Sequence, residues 1–274
     1  MQVISPQVGP LPTLALSVIV ITRNEAHQLA KCLESVAFAG EIVVIDSGST
    51  DGTQSLAASL GARVIETTDW PGFGKQKQRA LEAATLAWAL CLDADEWVDA
   101  ELAQAIQAAV EHASDNGPAG YELTRMSAFC GQWMKASGWY PDHGLRLVRR
   151  PLARFTDDLV HEHLTVQGSV ARLPGLLLHN SVPDLESAID KMNRYSSGRA
   201  KDLLRKGKQG GLGSALSHGF WAFVRTYVIK RGFLDGRLGF VLALHNAETT
   251  YYRYLKMWLL NRPAQGTRAP PPKA

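Results

Sequence analysis

Between residues 14 and 99, short apolar runs alternate with segments of helical periodicity, and that rhythm restricts the possible folds more than any other feature of the chain. Leu14 to Ile21 is apolar apart from Ser17, and Ala26, Leu29, Ala30, Leu33 and Val36 then fall at helical spacing. Ile42 to Ile45 is a second apolar run, followed by a loop of turn formers, Asp46 to Thr53, that opens a helix with Leu56, Ala57 and Leu60 inside. Gly61 ends that helix, Ala62 to Glu66 supplies a third strand, residues 75–87 a helix and residues 86–92 a fourth strand. Strands that are apolar without alternation are buried on both faces. The expected class is therefore α/β, with a mostly parallel, doubly wound sheet.

Beyond Asp99 the rhythm changes. A helix from Leu102 to His112 leads into shorter, more aromatic segments at 119–130, 145–150 and 164–179, read as antiparallel strands and loops that complete a site. From Asp184 to about Leu260 the pattern is helical. The expected organisation is a flexible lead-in (1–13), a catalytic-type domain (14–180, with a ligand-binding half to 99 and an acceptor half from 100), a basic helical region (184–262) and a disordered tail (263–274) with four prolines. The 274 residues suffice for one such domain with an appendage. The lead-in lacks the basic and apolar regions of a signal peptide. No uncharged apolar stretch reaches the roughly 18 to 20 residues that span a bilayer. Three cysteines, Cys32, Cys91 and Cys130, read as buried thiols of a reducing compartment.

The net charge of +3 conceals an asymmetry: residues 1–190 carry −10 and residues 191–274 carry +13. Such a tail suits an anionic surface, membrane or nucleic acid. Phe220, Phe223, Val224, Tyr227 and Val228, with Arg225, Lys230 and Arg231 alongside, fit an interfacial helix on an anionic leaflet. Tyr251, Tyr252, Tyr254, Leu255, Trp258 and Leu259 continue the pattern. The alternative is a helical hairpin that packs on the catalytic domain or makes a homo-oligomer.

Four polar features fall at or just after the carboxyl ends of successive strands: Thr22-Arg23-Asn24-Glu25, the Asp46 loop, the Lys75/Lys77/Arg79 cluster and Asp93-Ala94-Asp95. Open α/β sheets hold their ligands at that edge. Two carboxylates one residue apart can share a divalent cation, which can in turn hold a diphosphate. Thr22 and Glu25 fit a Ser/Thr-x-x-Glu capping box. Asp46 fits an Asx-turn, and Asp51 a helix N-cap.

These motifs together, Ser17 to Glu25, Val44 to Thr53 and Asp93-Ala94-Asp95-Glu96, resemble the family 2 glycosyltransferases over roughly residues 14–180. Within that family the chain is most similar to the lipopolysaccharide inner-core β-glucosyltransferases, on Trp70 to Lys77, Arg146 to Arg150, Val160-His161-Glu162 and Gly232 to Gly236. The resemblance implies a GT-A type fold and an inverting, metal-dependent transfer of a hexose, glucose first, from a UDP-sugar to a lipid-linked saccharide. It places the enzyme in the cytoplasm, peripheral on the inner face of the membrane, with no nucleic-acid partner. It implies that Thr22 and Glu25 lie at the uridine, that Asp46 accepts the uracil imide proton, and that Asp93 lies near the ribose or metal. Asp95 would bind Mg²⁺ or Mn²⁺ through the diphosphate. Lys75, Lys77 and Arg79 either assist the diphosphate or form a solvated helix face.

The base that deprotonates the attacking hydroxyl is expected in the second half of the chain. Glu162, flanked by His161 and His163, is the first choice, and Asp142 the second. The wider family's Glu-Asp base pair has no recognisable counterpart. His161, or another single histidine among His163 and His179, is a candidate to complete the Asp95 metal sphere. Trp133, Trp139 and Tyr140 fit a sugar-stacking platform or core packing equally well. Transfer to a polyprenyl phosphate is the rival chemistry, because phosphate needs no strong base.

Overall fold

A computed structural model of the chain describes residues 14–156 and 163–262. The lead-in, the proline-rich tail, His161 and Glu162 lie outside those residues. The described chain divides into two compact units, one containing residues up to Met126 together with Pro141–His179, the other containing Ser127–Tyr140 and the residues from Asn180 onward.

The first unit is built on the expected strand–helix alternation. In order it has β1 (Leu14–Thr22), α1 (Ala26–Ser35), β2 (Ala39–Asp46), α2 (Thr53–Ser59), β3 (Arg63–Glu66), α3 (Phe73–Ala83), β4 (Trp88–Asp93), β5 (Glu96–Val98) and α4 (Ala100–Glu111). Along the chain there follow β6 (Gly120–Phe129), β7 (Gln132–Trp133, in the second unit), β8 (Asp142–Arg149), β9 (Ala153–Phe155), β10 (Leu164–Val166) and β11 (Val170–Val182). The main sheet runs β3-β2-β1-β4-β8-β6-β11-β5. Its strands β3, β2, β1 and β4 pair in parallel. Pairing of β4 with β8, β8 with β6 and β11 with β5 is antiparallel, so the sheet is mixed and its change of direction follows the change of sequence rhythm after Asp99.

The central parallel strands β1 and β4 are mostly apolar because helices cover both sides. Leu16, Val18 and Val20 of β1 and Leu90 and Leu92 of β4 face a core that also receives Leu29 and Leu33 of α1 and Leu102, Ile106 and Val110 of α4. The intervening residues, Ile19, Ala89 and Cys91, meet Ala80 and Leu81 of α3 on the opposite side. The period of two along each strand thus separates the two layers. Leu102, Ile106 and Val110 fall four residues apart on one stripe of α4, and Asp99 caps that helix by accepting from Leu102 N.

In the second unit α5 (Leu185–Arg205), α6 (Leu212–Val224) and α7 (Gly236–Leu260) pack together, with a π-helical turn over Arg225–Ile229 and a 3₁₀ turn over Gly232–Asp235. Asp184 caps α5 through Ser187 N. The rings of Phe223 and Tyr227 stack on each other and meet Phe240 edge-on within this unit. Phe220 and Trp221 are exposed. Among the described residues no helix is long and apolar enough to cross a membrane.

Candidate functional site

Register places the expected residues on one edge of the sheet. Thr22 of β1 stands opposite Asp46 of β2, and Ile21 stands opposite Asp93 of β4. The three strand ends are therefore neighbours. Their carboxylates nevertheless have different surroundings.

Asp46 is fully buried. Its Oδ1 accepts from Ser49 N (2.8 Å) and Gln54 Nε2 (2.7 Å), and its Oδ2 accepts from the Thr22 and Ser49 hydroxyls. Burial pushes its pKa up, but the bonds from Ser49, Gln54 and Thr22 outweigh burial and bring it below the usual value. A carboxylate has about four lone-pair positions, and all four are used inside the protein. Asp46 is thus placed to hold the loop at the strand end.

Thr22 and Glu25 do not form the expected capping box. The Thr22 hydroxyl donates to Asp46, and α1 begins at Ala26 with no side-chain cap from Glu25. The orphan N–H groups of this helix are met from the β2–α2 loop instead: Ser49 Oγ accepts from Asn24 N, Thr53 Oγ1 from Glu25 N and Asp51 Oδ2 from Ala26 N. Asp51 also accepts from Thr53 N at 3.1 Å, so it serves the starts of both α1 and α2.

At the end of β4 the contacts are between charges. Lys77 Nζ lies 2.8 Å from Asp93 Oδ1. Arg146 Nη2 lies 2.8 Å from Glu96 Oε1 and 3.5 Å from Asp93 Oδ2, and Arg125 Nη1 reaches Glu96 Oε1 at 3.3 Å. Glu96 is fully buried, and its Oε2 accepts from Asp93 N at 2.9 Å, which closes the turn 93–96. Burial raises the Asp93 carboxyl, but Lys77 and Arg146 overcome it and hold the group far below the usual carboxylate range. Glu96 is raised, by burial against the opposing charge of Arg146. Lys77 is raised too, because Asp93 outweighs its burial. A cleft of about 340 Å³ opens here, lined by Lys77, Asp93, Arg125, Arg146 and His163 among others.

Asp95, two residues along, takes no part in that cation pairing. Its Oδ2 lies 3.2 Å from Nε2 of His179, which β11 places in register with Glu96 of β5. Both side chains are partly buried.

Of the remaining expected residues, Lys75 is exposed on α3, while Lys77, two positions on, reaches Asp93. Arg79 pairs with Asp69. Asp142 opens β8, and its Oδ2 accepts from Arg125 Nε (2.9 Å) and Nη2 (2.6 Å). Trp139 packs edge-on against Phe129 in the second unit. His161 and Glu162 fall outside the described residues. Sequence reasoning gave no role to Arg125 or Arg146. The available signal was Arg146 between Leu145 and Leu147: a cation inside an apolar strand needs a buried acid.

The donor set can be tested against a divalent cation. Among the described residues no group of three or more histidines, cysteines and acids converges on one point. Asp93 and Glu96 are committed to cations. Asp95 and His179 together offer a carboxylate oxygen and an imidazole nitrogen 3.2 Å apart, close to the separation of two adjacent ligands each about 2.1 Å from one metal. Two protein ligands, with the other positions left to diphosphate oxygens and water, fit a Mg²⁺-type site, which keeps most of its sphere for substrate and solvent.

The model of the family described as Glycosyl transferase family 2 matches residues 17–161. The chain is 31% identical over 257 residues to a lipopolysaccharide core biosynthesis glycosyltransferase of Rhizobium meliloti, covering 89% of this chain and 94% of that protein. It is 29% identical over 253 residues to an uncharacterised glycosyltransferase of Rickettsia typhi, covering 88% of this chain and 86% of the other. Among solved structures, a mannosyltransferase of Pyrobaculum calidifontis in complex with GDP-mannose and Mn²⁺ is 19% identical, covers 90% of this chain and 77% of its own, and superposes with a TM-score of 0.46.

Proposed function

Because the chain belongs to glycosyl transferase family 2, we propose that it moves a hexose, glucose first, from a UDP-sugar to a lipid-linked saccharide of the lipopolysaccharide-core kind. The observation that carries this reading is the division of labour at the end of β4, with Asp93 ion-paired to Lys77 and Arg146 and Asp95 facing His179. The diphosphate of the donor lies in the cleft between Lys77, Arg125 and Arg146, which supply the charge it requires. Asp95 and His179 hold Mg²⁺ or Mn²⁺. When bound, the cation offsets the negative charge that gathers on the departing nucleoside diphosphate.

The protein's own groups do the rest. Lys77 and Arg146 keep Asp93 ionised and fixed, so that it can accept hydrogen bonds from the ribose hydroxyls. Glu96 locks the turn that aims Asp95. Asp46 holds the β2–α2 loop in shape beside the nucleoside. Glu162 takes the proton from the attacking hydroxyl on the face of the sugar opposite the leaving group. Asp142 is the weaker candidate, because Arg125 already occupies its Oδ2 twice. The +13 balance of residues 191–274 supports attachment to the anionic inner face of the membrane.

The test is a panel of nucleotide sugars assayed for metal-dependent hydrolysis and for transfer to lipopolysaccharide core acceptors. UDP-glucose should turn over only with Mg²⁺ or Mn²⁺ present. Full turnover in chelator, or with a guanosine donor alone, overturns the reading.

A further inference from the structure

The second unit contains a cavity of about 310 Å³ that the transfer chemistry does not use. Its wall carries three cations, Arg225, Lys230 and Arg253, together with Thr226 and Asn246, and no carboxylate residue lines it among the described residues. Arg253 Nε is buried and has no hydrogen-bond partner. Burial lowers the Arg253 pKa, and the charges of Arg199 and Arg225 lower it further. A half-buried guanidinium beside like charge, with a buried donor unmet, is completed by an anion.

The cavity is also built by a motif that the reaction leaves unexplained, Gly232-Phe233-Leu234-Asp235-Gly236. Asp235 accepts from Lys135 N, Ala136 N and the Ser137 hydroxyl, so this acid is spent on shaping the loop that forms one wall. A Cβ on Gly232 would lie 2.8 Å from Thr226 O, so this turn must be glycine to close on the π-helical segment. That segment supplies Arg225 and Thr226, and irregular turns of this kind recur at binding sites. Next to the cationic residues in sequence, Val228, Ile229, Phe233 and Leu234 are exposed. Cations thus line a pocket while the same stretch presents apolar side chains to solvent. This is the pattern of a site for an amphiphile with an anionic head.

We propose that this cavity binds the phosphomonoester headgroup of a membrane lipid. A phosphomonoester brings close to two negative charges and three acceptor oxygens, which suits three cations and a hydroxyl better than a single carboxylate does. The inference deepens the membrane reading above and rests on it only for the source of the phosphate.

The experiment uses the full chain and sedimentation with vesicles of phosphatidylcholine, with and without phosphatidic acid. The wild type should bind the doped vesicles, and millimolar inorganic phosphate should compete. The double variant R225Q/K230Q should bind the doped vesicles at least tenfold more weakly, while K206Q/K208Q, which removes the same charge from residues that do not line the cavity, should change binding less than threefold. R253Q should lose phosphate competition if it folds; the exposed pair tests the site if it does not. Equal losses in both double variants would reduce the effect to general surface charge and overturn the cavity. Phosphate binding without vesicle binding would overturn the lipid source. UDP-sugar turnover in detergent, measured in parallel, reports on the transferase reading alone, so the two failures are distinguishable.

Discussion

Asp46 and Asp93 end strands on either side of β1, at the same edge of the same sheet, yet their partners differ in kind. Asp46 is fully buried and surrounded by neutral donors that use every lone pair. Asp93 is partly exposed and bound to two cations at the mouth of a cleft. Hydrogen bonds from hydroxyls and amides fix a loop, and no ligand exchanges with them cheaply. Ion pairs to flexible cations can be shared with an incoming diphosphate. Position at a strand end therefore marks where ligands gather, and the partners of each carboxylate decide whether it meets them.

The largest effect should follow from Asp95→Ala. With the cation's protein oxygen removed, transfer should fall by at least about a hundredfold, the several kcal/mol that a metal contributes to charge stabilisation. The melting temperature should stay near wild type, since Asp95 supports no part of the core. Near-normal turnover by the folded variant would erase the contrast between the ends of β2 and β4. Arg146→Met comes next and acts on stability. It leaves Glu96 buried beside Arg125 alone, at a cost of about 3 kcal/mol in a urea titration. Lys75→Ala, on the exposed face of α3, should change neither property, whereas Lys77→Ala should weaken UDP binding.

The fold was legible because burial on both faces leaves a signature that no other arrangement of strands shares: apolar runs such as Leu14–Ile21 and Leu86–Leu92, cut by helical spacing. The acidic edge was legible for the same reason, since a charged triplet after an apolar run has nowhere to go but the strand end. Pairings at that edge were less so. Thr22 and Glu25 have the spacing of a capping box, but a buried Asp46 across the strand competed for the Thr22 hydroxyl and won. Local spacing cannot report a contact made 24 residues away. Among Lys75, Lys77 and Arg79 the spacing did not say which reaches β4, because that depends on the phase of α3 against the sheet. Arg146 and His179 join the site only through the antiparallel half, whose short strands carry little periodicity.

Asp46→Asn sharpens the comparison from the other side. An amide keeps the shape but loses acceptors for the Thr22 and Ser49 hydroxyls, so the variant should be about 1 to 3 kcal/mol less stable. Its affinity for UDP, measured by calorimetry with Mn²⁺ at a temperature where it is fully folded, should stay within about threefold of wild type. A loss above about tenfold would mean that Asp46 touches the base after all, and that the two carboxylates differ less than their partners suggest.

The smallest effect concerns Glu41, near the opposite end of β2 from Asp46. Its Oε1 accepts from Arg63, and its Oε2 accepts from Ser17 Oγ (2.7 Å), Thr85 N (2.9 Å) and Thr85 Oγ1 (3.1 Å). Burial raises its pKa, but Arg63, Ser17 and Thr85 outweigh burial and bring it from the usual 4.5 down to about 2. A folded pKa below the unfolded one stabilises the protein fully above about pH 4.5, and that contribution disappears as pH falls toward 2. Glu41→Gln should therefore cost about 1 kcal/mol at pH 7, and its urea midpoint should approach that of wild type between pH 4.5 and 2. Asp46, also lowered by hydrogen bonds, adds to the same acid-side slope, so D46N should flatten it further. Midpoints that run parallel through that window would show that these carboxylates are no more strongly held in the fold than in the unfolded chain. The division between structural and ligand-facing acids would then lose its energetic basis.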